Sequence, residues 1–318
     1  IEAAFEDELH GTNGFREILV NAQGRTVEKQ GTLEPDLRSQ APVSGNDLIL
    51  SLDLNVQRVA EAALGDNRGA IVALDPNNGD VIALASRPGF DPNLFGRGLT
   101  RAEYDALQNN IDRPLLNRAL RGTYPPGSTV KPAIALGALV HGIVTPNDTR
   151  LCRGFYMLPR SSHRYRDHKT HGTVAMIKAI AQSCDVYFYD VANELGVDRL
   201  AAWLARFGVG QPTGLDIGGE KTGILPSREW KRTAFKRPQD QVWFPGETVS
   251  YGIGQGYLLM TPMQLAQMTA IIAARGKSFK PRLVTAMRDS TTGEVRTIPP
   301  QPGREVGIGT PEQWQTII

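Results

Sequence analysis

Apolar and polar positions recur with distinct periods along the 318-residue chain. Apolar residues at helical spacing over 56–64, after a capping Ser51 or Asp53, predict a helix that faces a core. Two short apolar runs, 70–74 and 81–85, are separated by a stretch dense in turn residues. This second pattern predicts a β-hairpin.

The same reasoning extends over the rest of the chain. Periodic apolar stretches predict further helices from residue 128 onward and at 174–181, 186–195, 198–207 and after a capping Thr261. Short apolar runs predict strands at 48–52 and 282–287, whereas 87–123, 152–172 and 208–256 have the composition of loops. Together these elements predict an α/β (α+β) fold, in which an antiparallel sheet packs against a helical lobe.

Residues 124–132 combine turn chemistry with candidate nucleophilic chemistry. A Pro-Pro-Gly run leads directly into Ser128, and Lys131 follows three positions later. Residues three apart are neighbours on a helix, so the Lys131 amine is within reach of the Ser128 hydroxyl and can take its proton if it is neutral. An isolated Ser-x-x-Lys is a weak signal, because a capping serine beside a solvated lysine has the same spacing.

Charge and hydropathy exclude some classes of function. Lysine and arginine number 35 against 33 aspartates and glutamates, which gives a formal charge of +2 and no electrostatic case for a nucleic-acid partner. No run approaches the roughly 20 apolar residues that cross a bilayer. The first residues do not form a signal peptide, so any membrane anchor is expected outside this sequence.

A second motif, Ser183-Cys184-Asp185, lies in the predicted break between two helices. With the Ser128-x-x-Lys131 run it resembles the penicillin-binding transpeptidases, whose three motifs are S-x-x-K, S-x-N and K-[ST]-G. Residues 164–167 and 252–257 are similar to the elongation-specific class B branch of that family. The resemblance covers nearly the whole chain and implies the penicillin-binding serine transpeptidase fold.

The resemblance also implies a role for each matching residue. Ser128 is expected to be the nucleophile acylated by the D-Ala-D-Ala end of a peptidoglycan stem peptide, with Lys131 as its general base. Ser183 is expected to relay a proton toward the leaving amine, and Asp185, where the wider superfamily usually has Asn, to face the substrate. β-Lactams would trap the same serine, and the chemistry needs no cofactor.

The third motif is harder to place. Lys221-Thr222-Gly223 matches it in letters, but turn-rich surroundings favour a coincidental surface loop. The expected organisation is therefore a linker or remnant of a non-catalytic pedestal over 1–46, followed over 47–318 by a transpeptidase domain. This domain is expected to stop before its K-[ST]-G strand.

The resemblance also implies partners and a location. The expected partners are a membrane glycosyltransferase and other elongation proteins. The expected location is the periplasmic face of the bacterial inner membrane, with an N-terminal transmembrane helix as the anchor. Two alternatives to a transpeptidase stay open: a relative that hydrolyses β-lactams, and a penicillin-binding sensor or scaffold without turnover.

Two cysteines are not required by this chemistry. Cys152 and Cys184, with Asp167 and His171, make a tetrahedral zinc set, and some elongation-specific relatives resemble this in carrying a metal beside the second motif. His163 or His168 could replace His171. A Cys152–Cys184 disulfide and two free thiols are the alternatives, and an oxidising compartment favours the disulfide.

Overall fold

A computed structural model describes residues 1–26 and 38–318, so residues 27–37 of the predicted linker lie outside the described residues. The contacts divide the described chain into two units. The first comprises Ile1–Ser51 and Leu283–Pro299, and the second comprises Leu52–Arg282 and Pro300–Ile318. The boundary expected after residue 46 differs from this division, because the strand that follows it belongs to the first unit.

The described chain contains the following elements. The α-helices are α1 Glu6–Leu9, α2 Leu54–Leu64, α3 Asn93–Gly96, α4 Arg101–Gln108, α5 Arg118–Arg121, α6 Lys131–Val140, α7 Met176–Ala181, α8 Asp185–Ala205, α9 Arg228–Ala234, α10 Pro245–Tyr251, α11 Pro262–Ala273 and α12 Pro311–Ile317. The strands are β1 Phe15–Arg16, β2 Ser39–Gln40, β3 Asp47–Leu50, β4 Gly69–Leu74, β5 Val81–Arg87, β6 Arg150–Cys152, β7 Phe155–Tyr156, β8 Tyr165–Arg166, β9 Gly172–Val174, β10 Val284–Arg288 and β11 Val295–Thr297. Short 3₁₀ turns are at Glu2–Ala4, Gly127–Val130 and Pro238–Asp240.

The first unit is built on antiparallel strand pairs. Strands β3, β10 and β11 form a three-stranded sheet with β10 in the middle, and β1 pairs with β2. The strands predicted at 48–52 and 282–287 are therefore confirmed. They pair with each other although more than 200 residues of chain separate them, as the Arg288–Asp47 ion pair shows.

The second unit contains the predicted hairpin. Strands β4 and β5 are antiparallel, and the turn closes through the Asp75 amide, which donates to the Asp80 carbonyl at 2.9 Å. Helix α2 packs on β5 and helix α11 packs on β4. The predicted Asp53 cap is confirmed, since its carboxylate accepts from the first amides of α2 at 2.8 and 3.1 Å.

Helices α6, α8, α10 and α12 form the helical lobe around a buried apolar core. The two helices predicted over 186–207 are observed as α8, which is broken at Gly196 by a positive φ of 75°. Helix α6 approaches α8 closely at Gly137, where the Trp203 indole donates to the Ala133 carbonyl at 2.7 Å. The mixed fold predicted from the sequence is confirmed.

The three predicted loop regions contain more secondary structure than expected. Residues 87–123 include α3, α4 and α5, residues 152–172 include β7 and β8, and residues 208–256 include α9 and α10. The signal for α4 was present in the sequence as a Thr100-x-x-Glu103 capping box. In the described part of the chain, no helix combines the length and hydropathy needed to span a bilayer.

A substitution at Gly137 tests the close approach of α6 and α8. A Cβ there would lie 2.6 Å from the Trp203 ring, so Gly137→Ala must displace the indole and weaken its hydrogen bond to Ala133. Alanine gains up to about 1 kcal/mol in helix propensity, but overpacking costs about 1–3 kcal/mol. We expect a net loss of stability, measured as a lower melting temperature.

Gly96→Ala is the matched control, because Gly96 lies in α3 and a Cβ there would contact no atom within 4 Å. Its melting temperature should stay equal or rise. An equal fall in both variants would contradict the packing explanation.

Candidate active site

Ser128 lies at the start of the helical lobe. It belongs to the 3₁₀ turn Gly127–Val130, which leads directly into α6. The helix predicted to begin around Gly127 or Ser128 thus starts there as a 3₁₀ turn and becomes α-helical at Lys131. The Ser128 side chain is exposed to solvent, whereas Lys131, one turn further, is only 1 % exposed. The backbone therefore presents a hydroxyl at the surface and an amine directly beneath it.

A glycine from another part of the chain supports this turn. The Gly127 amide donates to the Gly254 carbonyl at 2.9 Å. A Cβ at Gly254 would lie 2.1 Å from the Gly127 carbonyl oxygen, and its φ of +72° also favours glycine. The glycine-rich stretch 252–256 thus packs against the turn that carries Ser128.

The three candidate catalytic side chains form one hydrogen-bonded chain. Lys131 Nζ donates to the Ser183 carbonyl at 2.9 Å, to Ser183 Oγ at 3.0 Å and to Asp185 Oδ1 at 2.5 Å. Ser183 Oγ in turn donates to Ser128 Oγ at 2.8 Å. The lysine therefore reaches the exposed serine through Ser183, and no direct hydrogen bond joins Lys131 to Ser128 in the part of the chain that the structure describes.

Ser183 holds this position through an uncommon backbone conformation. Its φ is +53°, and its amide and that of Cys184 close the end of α7 by donating to Ile180 and Ala179 at 3.0 and 2.9 Å. A positive φ at a non-glycine residue stores strain of about 1–3 kcal/mol and is often found at functional sites. This conformation of the α7–α8 junction brings Ser183 Oγ within hydrogen-bonding distance of Ser128 Oγ.

A second cluster lies on the other side of the same junction. The structure brings together Cys152, Asp167, His171 and Cys184, whose ligand-capable atoms are all within 4.8 Å of one another. Asp167 Oδ2 lies 3.5 and 3.4 Å from the two Sγ atoms and 3.4 Å from His171 Nδ1. All four residues that the sequence proposed as metal ligands thus meet at one place.

The protonation of this cluster follows from its surroundings. Burial acts to raise the pKa of Asp167, but the hydrogen bond from the Val186 amide, followed by those from the two thiols, lowers that pKa overall. Burial raises the pKa of the Cys184 thiol to about 12. The cluster thus carries a charged carboxylate beside a protonated Cys184 thiol. Both cysteines are free and buried.

The two alternative histidines lie outside this tetrad. His163 is exposed and packs against the Tyr165 ring with centroids 4.6 Å apart. His168 Nδ1 pairs with Asp167 Oδ1 at 2.9 Å, and one of its ring nitrogens is within 4.8 Å of an Asp185 oxygen. Among the three histidines, the geometry favours His171 as the tetrad member.

Lys221 is exposed and lies outside the described helices and strands, and its amide donates to the Leu120 carbonyl at 2.9 Å. No hydrogen bond among the described residues joins its side chain to Ser128 or Ser183.

Three features of the site were not found from the sequence. They are the direct Lys131–Asp185 ion pair, the position of His168 beside Asp185, and the contact of Gly254 with Gly127. The first two pair residues that are far apart in the chain, and no local pattern signals them. The glycine-rich stretch 252–256 was visible, but its function as a support for Ser128 was not.

The comparison with protein families agrees with this geometry. The model of the penicillin-binding protein transpeptidase domain matches residues 69–315, which include Ser128, Lys131, Ser183 and Asp185. The chain belongs to this family. The match covers most of the chain, so the α/β fold described above is the penicillin-binding transpeptidase fold.

Several proteins of this family are similar to the chain over nearly its whole length. Peptidoglycan D,D-transpeptidase MrdA of Acinetobacter baumannii is 43% identical over 316 residues, which are 99% of this chain and 45% of that protein. The crystal structure of Pseudomonas aeruginosa PBP2 in complex with WCK 5153 matches with a TM-score of 0.82 and 43% identity, over 99% of this chain and 62% of that one. PBP2 of Helicobacter pylori in its complex with MreC matches with a TM-score of 0.79 and 32% identity, over 100% of this chain and 54% of that one. The chain thus spans less than half the length of the MrdA relative that it matches.

The support of the Ser128 turn by Gly254 can be tested. Gly254→Ala should force Gly127 away, because the new Cβ meets backbone atoms that cannot rotate aside. We expect faster amide hydrogen exchange across residues 124–131, measured by mass spectrometry.

Gly256→Ala is the control. Gly256 has nearly the same positive φ, +73°, but a Cβ there would make only an ordinary contact, 3.5 Å from Ser250. Both variants carry the backbone strain, so only Gly254→Ala should change exchange at the Ser128 turn. Equal exchange in the two variants would show that the contact is unimportant.

Proposed function

We propose that this chain carries the catalytic site of a peptidoglycan D,D-transpeptidase that cross-links stem peptides during cell elongation. The observation that carries the proposal is the hydrogen-bonded chain from Lys131 through Ser183 to the exposed Ser128. The MrdA relative, 43% identical, supports the choice of reaction. β-Lactams are the expected inhibitors, because they would acylate the same serine.

Acylation begins with attack of Ser128 Oγ on the carbonyl carbon of the D-Ala-D-Ala amide. The Ser128 proton leaves along the 2.8 Å contact to Ser183 Oγ, which passes its own proton to a neutral Lys131 amine at 3.0 Å. Lys131 then returns the proton to Ser183 Oγ, and Ser183 passes its own proton to the leaving D-Ala amine, while Ser128 keeps the acyl group.

Two further groups complete the step. The Ser128 amide, in the first turn before α6, is placed to donate to the oxyanion, a contribution worth about 3–4 kcal/mol in comparable sites. The Asp185 carboxylate supplies the counter-charge that a buried Lys131 ammonium requires when it holds the proton. An amine from a neighbouring stem peptide then attacks the acyl-enzyme and releases Ser128.

The domain organisation and cellular setting are part of the same proposal. Residues 47–318 would belong to the transpeptidase domain and residues 1–46 to the linker or pedestal. The H. pylori PBP2–MreC complex supports elongation proteins as partners, and a membrane glycosyltransferase would supply the strands. Such an enzyme acts at the periplasmic face of the inner membrane, to which an N-terminal helix would anchor it.

Covalent labelling by penicillin tests the nucleophile. Ser128→Ala removes the attacking oxygen, so intact-mass spectrometry should show no penicilloyl adduct. Ser183→Ala should label about 10²–10⁴-fold more slowly, since it removes a proton-transfer group. The rate at which the penicilloyl adduct is released distinguishes two of the alternatives. A transpeptidase should release it over hours, whereas a β-lactam hydrolase would release it fast.

Thr129→Ala is the matched control for Ser128→Ala. It removes the adjacent exposed hydroxyl, which donates to the Pro126 carbonyl at 2.7 Å. The control should label at nearly the wild-type rate. A penicilloyl adduct on Ser128→Ala would assign the nucleophile to another residue. Cross-linking of peptidoglycan strands by the wild-type protein would identify an enzyme, and its absence would favour a sensor.

We also propose a structural zinc ion held by Cys152, Asp167, His171 and Cys184. Two sulfurs, one imidazole and one carboxylate are ligands that Zn²⁺ takes in closed tetrahedral sites, and these four already converge within 4.8 Å. His171 Nε2 lies 3.2 Å from the Gln182 carbonyl, so donation to that oxygen leaves Nδ1 to face the cluster. Bound zinc would deprotonate both thiols and tie the 152–171 segment to the α7–α8 junction.

Metal content tests this proposal. Native mass spectrometry should find one zinc per wild-type chain and none in Cys184→Ser or His171→Ala. Removal of zinc should lower the melting temperature, because the ion joins segments that are distant in the chain.

His163→Ala is the control, since His163 lies outside the tetrad. It should retain the metal. A wild-type mass two hydrogens lower than the reduced chain, without zinc, would instead show a Cys152–Cys184 disulfide.

A further inference from the structure

Residues 153–169, between β6 and β9, carry a local excess of positive charge. Their cations are all exposed and are Arg153, Arg160, Arg164, Arg166 and Lys169. Their single acidic residue, Asp167, has a side chain that is 0 % exposed and points into the cysteine and histidine cluster. The rest of the chain is slightly acidic. The excess charge therefore belongs to this segment and faces solvent.

Among the described residues, these cations also lack acidic partners. Many other basic residues are ion-paired, as Arg150 is with Asp190 at 2.5 Å and Arg288 with Asp47 at 2.6 Å. Within residues 1–26 and 38–318, no carboxylate lies within 4 Å of the basic groups of this segment. An unpaired set of this kind is available to an anion from outside.

The backbone brings these side chains together. Phe155 of β7 is directly opposite Arg166 of β8, and the Arg164 guanidinium lies 4.6 Å from the centre of the Phe155 ring. Arg164 lies just before β8, which contains Arg166. The Asp167 amide donates to the Gly154 carbonyl at 2.9 Å, so Arg153 and Arg166, which flank this backbone pair, are diagonal neighbours. We call Arg153, Arg164, Arg166 and Lys169 the basic rim.

The basic rim is attached to the helix that carries the catalytic groups. Asp167 Oδ2 accepts from the Val186 amide at 3.0 Å, and the Tyr189 hydroxyl donates to the Arg166 carbonyl at 3.0 Å. Both partners lie in the first turns of α8, whose first residue, Asp185, pairs with Lys131. The basic rim is therefore fixed at the edge of the proposed active site.

We propose that the basic rim binds free carboxylates of the acceptor stem peptide and so positions its amine for attack on the acyl-enzyme. The inference rests on the proposed function, because it takes the acceptor from that reaction. Guanidinium groups pair with carboxylates through two parallel hydrogen bonds, and clustered cations raise the local concentration of an acidic peptide. A peptide is preferred over an anionic lipid surface because the cations are attached to α8, whose first residue, Asp185, pairs with Lys131 of the proposed site.

Charge reversal of the basic rim provides the test. The rim variant is Arg153→Glu/Arg166→Glu/Lys169→Glu, with Arg164 retained because it stacks on Phe155. The control variant is Arg199→Glu/Arg206→Glu/Lys277→Glu, which reverses the same number of exposed charges elsewhere. The probes are fluorescein-labelled tetraglutamate and tetraglutamine peptides, followed by anisotropy at low and at moderate salt.

We expect tetraglutamate to bind wild-type and control proteins at least tenfold more tightly than the rim variant, and less tightly at higher salt because exposed charges are screened. In a cross-linking assay, the KM for an acceptor with free carboxylates should rise in the rim variant, and the KM for its amidated form should not. Penicillin labelling of Ser128 should be equal in all three proteins, which verifies that the active site is folded.

Equal affinity of wild type and rim variant for tetraglutamate, or equal binding of tetraglutamine, would overturn the proposal. Loss of binding to phosphatidylglycerol vesicles without loss of tetraglutamate binding would also overturn it, in favour of a lipid-binding surface. If penicillin failed to label Ser128 in the wild-type protein, the proposed function itself would be contradicted. This outcome is distinguishable from loss of peptide binding, because labelling and anisotropy are independent measurements.

Discussion

The buried ammonium of Lys131 is the constraint on which the site depends. A charged amine that is 1 % exposed must have oxygen partners, since an unpaired buried charge costs several kcal/mol. Its three partners all come from Ser183 and Asp185. The need to satisfy one side chain therefore holds the start of α6 against the α7–α8 junction, and this arrangement places Ser183 between Lys131 and Ser128.

The tripeptide Ser183-Cys184-Asp185 serves two clusters at once. Its outer residues face Lys131, while its middle residue turns toward Asp167 and Cys152. Ser183 reaches its position only with a positive φ, and a strained junction persists only when its surroundings hold it. A metal in the second cluster would stabilise this conformation without contacting substrate, which explains how a structural ion could affect a reaction in which it takes no part.

Asp167 connects that junction to the surface. One oxygen accepts from the Val186 amide and faces the thiols, and the other accepts from the His168 amide at 2.8 Å. Because the Asp167 carboxylate is buried and bonded to these groups, it does not form ion pairs with the neighbouring arginines. Residues 153–169 contain no other acidic side chain. The same residue thus accounts for the order of the 152–171 segment and for the unpaired charge on its outer face.

Local sequence patterns were enough to predict several helices and strands and to single out the candidate site residues. Periodicity and caps gave the β4–β5 hairpin and helices α2, α6 and α11, because these depend on neighbours in the chain. Residue chemistry named Ser128, Lys131 and the four cluster residues. Short strands such as β7 and β8 were missed, since two residues are too few for a period. The contacts of Lys131 with Ser183 and Asp185, and of Ser183 with Ser128, could not be predicted, because they join residues more than fifty positions apart whose directions are set by packing.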